Sequence, residues 1–184
     1  MAARICLVSG PCGSGKTTLA RLLAQGPGAG PGAAHIHTDD FYQYICRGYL
    51  PPWEEAAGDQ NETVIRAAAA CAQQYVLGGY QVFVDGVIGP WFLAPWLALA
   101  EKGLDLRYVV LRPSQELTVA RGLAREARAE FPLTEETFTH MWQMFADLGQ
   151  YEPHAVDTGA QTPQESAAWL RERLAAGGFK LSHT

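Results

Sequence analysis

Apolar residues occur along the chain in two patterns, as short continuous runs and as stretches with the spacing of one helix face. The short runs predict strands at 5–9, 34–38, 80–84, 106–111 and 155–157. The helical spacing predicts helices at 18–25, 40–46, 62–77, 91–101, 115–129, 135–148 and 163–176, with Asn61 as a possible cap and Gly78-Gly79 as a stop for the third. Strands that alternate with helices predict a three-layer α/β fold, with a parallel sheet covered on both faces.

A glycine-rich loop joins the first predicted strand to the first predicted helix. It fits the phosphate-binding pattern GxxxxGK[ST]. Such a loop turns its backbone N–H groups towards a phosphate chain, and the helix that follows adds a positive dipole end. Lys16 is placed to reach the β- and γ-phosphates, and the hydroxyl of Thr17 to bind Mg²⁺. The predicted nucleotide-binding segment consists of Gly10, Pro11, Cys12, Gly13, Ser14, Gly15, Lys16, Thr17 and Thr18.

Length and charge narrow the range of functions. The 184 residues, 48% of them apolar, predict one globular domain over 1–184. A net charge of −5 without a basic run argues against nucleic-acid or membrane-surface partners. The longest apolar run, 87–100, contains two prolines and is too short to cross a bilayer. With no signal peptide before the first strand and four cysteines without disulfide or metal spacing, we expect a cytoplasmic protein, a monomer or a homodimer.

Carboxylates follow the predicted strands at the edge where ligands bind in parallel sheets. Asp39 and Asp40 follow the second strand and Asp85 follows the third. We interpret Asp39 as a base that accepts a proton from an attacking hydroxyl. Asp85 is predicted to border the metal ion or the substrate. Either could instead cap the next helix, and Asp40 is the better candidate for capping alone.

Three arginines, Arg121, Arg125 and Arg128, share one face of a predicted helix at spacing i, i+4 and i+7. Guanidinium groups on one face just before a break at Pro132 suit a lid over 121–135 that closes on phosphates. A solvated helix face is the alternative, since Glu126 and Glu130 are interspersed. Arg125, the central member, is the strongest candidate.

Aromatic residues are concentrated between the second and third strands and after Asp85. Their flat apolar faces and polar tips suit the wall of a pocket for a hydroxylated small molecule. Core packing is the alternative explanation for some of them. The predicted acceptor residues are Tyr42, Tyr49 and Trp91, with Phe41, Tyr44, Trp53 and Phe92 nearby.

These motifs together resemble the small P-loop kinases of the nucleoside-monophosphate-kinase-like fold, and in particular chloramphenicol phosphotransferase-like and gluconate-kinase-like proteins. The resemblance covers nearly the whole chain. It implies a strand order of 2-3-1-4-5, ATP as donor and Mg²⁺ as cofactor. It also implies that Asp39 is the catalytic base and that the segment containing Thr158 holds the adenine. No motif that defines the substrate of shikimate, gluconate or adenylate kinases is complete in this sequence.

The sequence therefore predicts an ATP-dependent phosphotransferase that acts on a hydroxyl of a small molecule. Lys16, Mg²⁺ and the lid arginines would neutralise the charge on the transferred group. Two alternatives stay open. One is a nucleotide-binding NTPase or switch that works through a protein partner, and the other is a toxin-like kinase of a sugar nucleotide.

Overall fold

A single five-stranded sheet organises the molecule, in a computed structural model that describes residues 3–127 and 133–181. The strands are β1 (Arg4–Ser9), β2 (Ala33–His37), β3 (Gln81–Gly86), β4 (Asp105–Leu111) and β5 (Ala155–Val156). Neighbouring strands are parallel and follow the order β2-β3-β1-β4-β5. The three-layer α/β fold and the strand order implied by the resemblance are confirmed.

Helices cover both faces of the sheet because the central strands are apolar on both sides. The helices are α1 (Lys16–Gln25), α2 (Gly58–Leu77), α3 (Ala94–Glu101), α4 (Gln115–Glu126), α5 (Glu135–Gln143) and α6 (Pro163–Ala175). One core lies between the sheet and the pair α2 and α3, around residues such as Leu7 and Trp96. A second core lies between the sheet and the pair α1 and α6, around Val8 and Leu170.

The predicted start of the third helix is wrong. The helix α2 begins at Gly58, so Asn61 lies inside it and does not cap it. Its buried side-chain amide donates to the carbonyl of Pro52 at 2.8 Å. A long-range hydrogen bond therefore accounts for this asparagine, which the local sequence pattern had suggested as a cap.

Other predicted helices also differ in extent: α1 begins two residues before the predicted 18–25, and α4 ends at Glu126 before the predicted 129. The segment predicted as a helix at 40–46 is a 3-10 helix, Thr38–Tyr44. The helix predicted from residue 91 is divided into a 3-10 helix, Pro90–Phe92, and α3. The helix α5 ends at Gln143 instead of continuing to 148, and the chain beyond it places Phe145 and Leu148 in the main core. Burial of these two side chains takes precedence over continuation of the helix.

Candidate active site

The glycine-rich loop leaves the carboxyl end of β1 and enters α1. Gly13 has φ +88° and lies against α4, where an added Cβ would be 2.2 Å from the carbonyl oxygen of Thr118. Only glycine fits this conformation at this separation. The loop is thus held between the sheet and the helix that carries Arg121 and Arg125.

The first turn of α1 is suited to an anion. Its N-terminal N–H groups have no side-chain cap, and no acidic residue lies in the first turn. The hydroxyl of Ser14 is buried and has no hydrogen-bond partner among the described residues. The ammonium of Lys16 is buried and donates to the carbonyl of Pro11 at 3.3 Å. Backbone N–H, hydroxyl and ammonium donors around one loop are what phosphate oxygens require.

A cavity of about 260 Å³ adjoins this loop. Five residues that the sequence predicts to hold a nucleotide line it together, although they come from three distant parts of the chain: Ser14, Gly15, Thr18, Arg121 and Thr158. Leu19, Leu111, Gln161, Pro163 and Ser166 complete the lining. The cavity thus presents apolar and polar side chains beside the phosphate loop, as a nucleoside site requires.

The predicted arginine lid is described in part. Arg121 and Arg125 both lie on α4. Arg125 is exposed, its guanidinium lies 3.2 Å from the carboxylate of Glu126, and it is not among the residues that line the cavity beside Arg121. Arg128 and the rest of 128–132 lie outside the described residues. The closing role of these arginines stays a prediction.

Asp85 lies at the centre of a buried polar cluster. Its side chain is fully buried near the end of β3. One carboxylate oxygen accepts from Thr17 Oγ1 at 2.5 Å and contacts His37 Nδ1 at 2.9 Å, and the other lies 2.5 Å from His35 Nε2. Burial by itself would raise the pKa of Asp85, but these hydrogen bonds outweigh it and hold the pKa below its ordinary range. The carboxylate is therefore kept ionised beside the phosphate loop.

Sequence reasoning missed both histidines. His35 and His37 are two residues apart on β2, so their side chains lie on one face of the strand. The pairing of His37 with Asp85 across the sheet brings them together. The spacing of the two histidines was a usable signal, but the carboxylate that they contact is known only once the strand order is known. The hydrogen bond to Asp85 also raises the pKa of His37.

The adjacent carboxylates Asp39 and Asp40 lie in the 3-10 helix that follows β2. Asp39 is half-exposed, and one of its oxygens lies 3.4 Å from His37 Nε2. Asp40 does not cap this helix, because the helix begins at Thr38 and Asp40 instead accepts a 3.5 Å contact from Gln43. Of the pair, Asp39 is therefore the one in contact with the Asp85 cluster.

The oxygen atoms of Thr17 and Asp85 are chemically suited to Mg²⁺, which prefers hydroxyl, carboxylate and phosphate oxygens. Among the described residues, no group of three or more His, Cys, Asp or Glu side chains has an arrangement that could hold a metal ion. The donor set fits an ion held largely by nucleotide phosphates, as Mg²⁺ is in phosphoryl transfer.

The predicted aromatic wall is dispersed. Phe41 and Tyr44 line an apolar groove of about 360 Å³ against α2, and Tyr42, Tyr49 and Trp91 are not among its lining residues. Tyr42 is half-buried and donates to Asn61 at 3.0 Å, and burial raises its pKa to about 12. Tyr49 is exposed on a loop, and Trp91 packs against Phe92 and Phe145. The acceptor role of these three residues stays a prediction.

A side-chain amide of α2 anchors the loop that carries Tyr49. Gln60 donates to the carbonyl of Leu50 at 2.7 Å and accepts from its N–H at 2.8 Å. Asn61 binds the same loop two residues further on, at Pro52. Hydrogen bonds therefore hold the backbone just after Tyr49, while Tyr49 itself is 48% exposed.

The fold and the phosphate loop define a P-loop nucleotide-binding protein with a kinase-like fold. A family model described as an AAA domain matches residues 5–148, so the chain belongs to this family. The comparison with curated protein sequences found no match.

Solved structures confirm the fold. An APS kinase from Mycobacterium tuberculosis in complex with AMPPNP and APS superimposes with a TM-score of 0.69 at 18% identity, over 95% of this chain and 98% of that one. A tunicamycin resistance protein from Deinococcus radiodurans gives 0.67 at 17% identity, covering 98% and 99%. A sugar kinase from Janibacter sp. gives 0.64 at 18% identity, covering 94% and 95%. At these identities the likeness extends to the fold and not to the substrate.

Proposed function

We propose that this protein is an ATP-dependent kinase that transfers the γ-phosphoryl group of ATP to a hydroxyl of a small molecule. One observation carries the proposal. The Thr17 hydroxyl of the phosphate loop donates a hydrogen bond to the buried carboxylate of Asp85 on β3, and Asp39 follows the neighbouring strand β2. Phosphoryl transfer needs a phosphate cradle, a cation site and a group that orients the nucleophile. The small-molecule kinases among the solved structures of like fold support the same conclusion.

Each residue has a role in that reaction. The backbone of the glycine-rich loop binds the triphosphate, and Lys16 and Arg121 balance its negative charge. Asp39 orients the acceptor hydroxyl and accepts its proton. Thr17 and Asp85 would hold Mg²⁺, which when bound supplies positive charge to the phosphate oxygens. Thr158 and the cavity around it would hold the base and ribose of ATP.

The acceptor is proposed to be neutral or weakly charged. The loop beside Asp39 carries one basic residue, Arg47, and is followed by Glu54 and Glu55. An anionic acceptor would require more positive charge at this position. Exposed aromatic residues such as Tyr49 favour a ring-containing compound with hydroxyl groups.

A screen of MgATP consumption over sugars, polyols, nucleosides and hydroxylated antibiotics tests the proposal. An active acceptor should raise ATP consumption well above the basal rate. The Lys16→Met variant should lose at least about a hundredfold of that rate, because methionine keeps the apolar stem but removes the ammonium of the phosphate loop. Circular dichroism should show that its fold is intact.

Lys102→Met is the matched control, since Lys102 is exposed after α3. It should leave the rate unchanged. ATP hydrolysis that no hydroxylated compound increases would contradict the kinase proposal and favour an NTPase or switch. Transfer that persists in the Lys16→Met variant would contradict the assigned nucleotide site.

A further inference from the structure

Asp85 has partners on both oxygens of its carboxylate. Its carboxylate is fully buried and contacts three side chains through its two oxygens. Thr17 needs one of these oxygens, and the two histidines of β2 determine where the carboxylate lies. A buried carboxylate that lost such partners would take up a proton, change rotamer or draw water into the site.

The two histidines use different ring nitrogens. His35 reaches Asp85 through Nε2, and His37 reaches it through Nδ1. The use of Nδ1 leaves the Nε2 atom of His37 directed to the other side, 3.4 Å from a carboxylate oxygen of Asp39. His37 therefore touches both the carboxylate at the phosphate loop and the carboxylate at the acceptor side.

We propose that His35 and His37 are positioning residues: both hold Asp85 against Thr17 for binding of the magnesium–nucleotide complex, and His37 also holds Asp39 for transfer. The inference rests on the proposed function. It assigns to β2 a structural link between the nucleotide side and the acceptor side of the site. His35 serves the nucleotide side alone.

Isosteric substitutions separate these roles. The side-chain NH₂ of glutamine falls close to the Nε2 position of a histidine, and that of asparagine falls close to Nδ1. His35→Gln and His37→Asn therefore keep the donor to Asp85, whereas His35→Asn and His37→Gln misplace it. Alanine at either position removes it. His37→Asn also removes the contact with Asp39.

The experiment measures binding of a fluorescent ADP analogue with and without Mg²⁺. In parallel it measures kcat for phosphoryl transfer from MgATP to the acceptor that the screen identifies. We expect His35→Ala and His37→Ala to weaken the Mg²⁺-dependent part of binding by about tenfold or more, the size typical of residues that orient metal-binding groups. Binding without Mg²⁺ should not change. His35→Gln should restore both binding and turnover.

His37→Asn is the decisive variant. It should restore Mg²⁺-dependent binding but leave kcat reduced, because Asp39 has lost its neighbour. A residue that merely stabilised the fold would affect binding and kcat alike. His140→Asn, on an exposed position of α5, is the matched control and should behave as the wild type.

Several results would overturn the inference. One is Mg²⁺-dependent binding that is equal in the wild type and in both alanine variants. Another is full recovery of kcat in His37→Asn. If the alanine variants do not fold, the pairs His35→Gln against His35→Asn and His37→Asn against His37→Gln decide, and equal behaviour within each pair would refute the assignment. Absence of Mg²⁺-dependent ADP binding in the wild type would instead overturn the proposed function, and the inference with it.

Discussion

At the scale of single residues, the surroundings of Asp39 and Asp40 separate two carboxylates that are adjacent in sequence. Asp39 lies beside His37 and contributes, after burial, to the raised pKa of Tyr42. Asp40 is exposed and contacts Gln43 at 3.5 Å. The carboxylate of Asp39 thus contacts His37 of the site, whereas that of Asp40 contacts Gln43.

We therefore expect Asp39→Asn to lower phosphoryl transfer by about a hundredfold or more, because the amide keeps the shape of the carboxylate but cannot accept the proton. ATP binding should be retained. Steady-state kinetics and isothermal titration of both variants provide the measurement, with Asp40→Asn as the matched control. The reverse ranking of the two variants would assign the base to Asp40.

At the scale of elements, the carboxyl end of β3 is packed closely against the end of β2. A Cβ added to Gly86 would lie 1.9 Å from the Thr38 hydroxyl oxygen, and Thr38 directly precedes Asp39. The loop after Gly86 is fixed as well, since Ser9 and Tyr108 each donate to the carbonyl of Ile88 at 2.7 Å. The position of Asp39 relative to the phosphate loop therefore depends on the absence of a side chain at Gly86.

We expect Gly86→Ala to destabilise the protein by about 1–3 kcal/mol, because the methyl group displaces Thr38 in a packed interior. The displacement should also reduce kcat. Urea unfolding and steady-state kinetics measure the two effects, and a Thr38→Ala substitution in the same chain should recover part of the stability.

Gly58→Ala is the matched control for this prediction. Gly58 begins α2 with helical φ and ψ, and an added Cβ there has no neighbour within 4 Å. Alanine at this position should be neutral or stabilise by about 0.4–1 kcal/mol. A Gly86→Ala variant as stable as Gly58→Ala would contradict the close packing of β2 and β3.

At the scale of the whole molecule, an ion pair joins the sheet to the segment that leads into β5. Arg112, directly after β4, donates two hydrogen bonds to Glu152 at 2.9 and 2.8 Å and also binds the carbonyls of Phe145 and Ala146. Glu152 further accepts from the N–H of Leu148 at 2.8 Å. The hydrogen bonds from Arg112 lower the pKa of Glu152 to about 2.

This pair should make stability depend on pH in acid. Because the pKa of Glu152 is lower in the folded than in the unfolded chain, its contribution is fully present above the ordinary value of 4.5 and is lost as the pH falls towards about 2. The difference in unfolding free energy between the wild type and Glu152→Gln should be constant from about pH 7 to 5 and shrink below that. Urea titrations at several pH values measure it.

Arg112→Ala supplies the control for this prediction. In the Arg112→Ala background, the difference in unfolding free energy caused by Glu152→Gln should vary less with pH. The main cause of the lowered pKa of Glu152 has been removed there. A difference that stays constant down to pH 3 in the wild-type background would contradict the proposed contribution of the pair.

No helix among the described residues is long and apolar enough to cross a bilayer. The longest, α2, has a buried face of small residues such as Ala68 and Ala72 and an exposed face that includes Glu62 and Arg66. Its pattern is that of a helix packed on a sheet.

Much of the fold could be predicted from local patterns. Apolar runs such as 5–9 and 106–111 are strands because their side chains are buried on both sides, and the glycine-rich loop imposes its own conformation. Helix ends were harder to predict. The predicted cap Asn61 and the predicted continuation of α5 were wrong because long-range contacts with Pro52 and with the main core decided them.

The sequence by itself determined the phosphate loop, since the roles of Gly13, Lys16 and Thr17 follow from residue type and spacing within the short segment 10–18. The sequence also predicted that Asp85 borders the metal ion or the substrate, but only the tertiary structure decided which side chains contact Thr17 and Asp85. Strand order places β3 between β2 and β1, and so brings Asp85 to the Thr17 hydroxyl and His35 and His37 to Asp85. The sequence alone does not reveal this cluster, because its residues are far apart along the chain. A parallel sheet places side by side strands that long crossover connections separate in sequence.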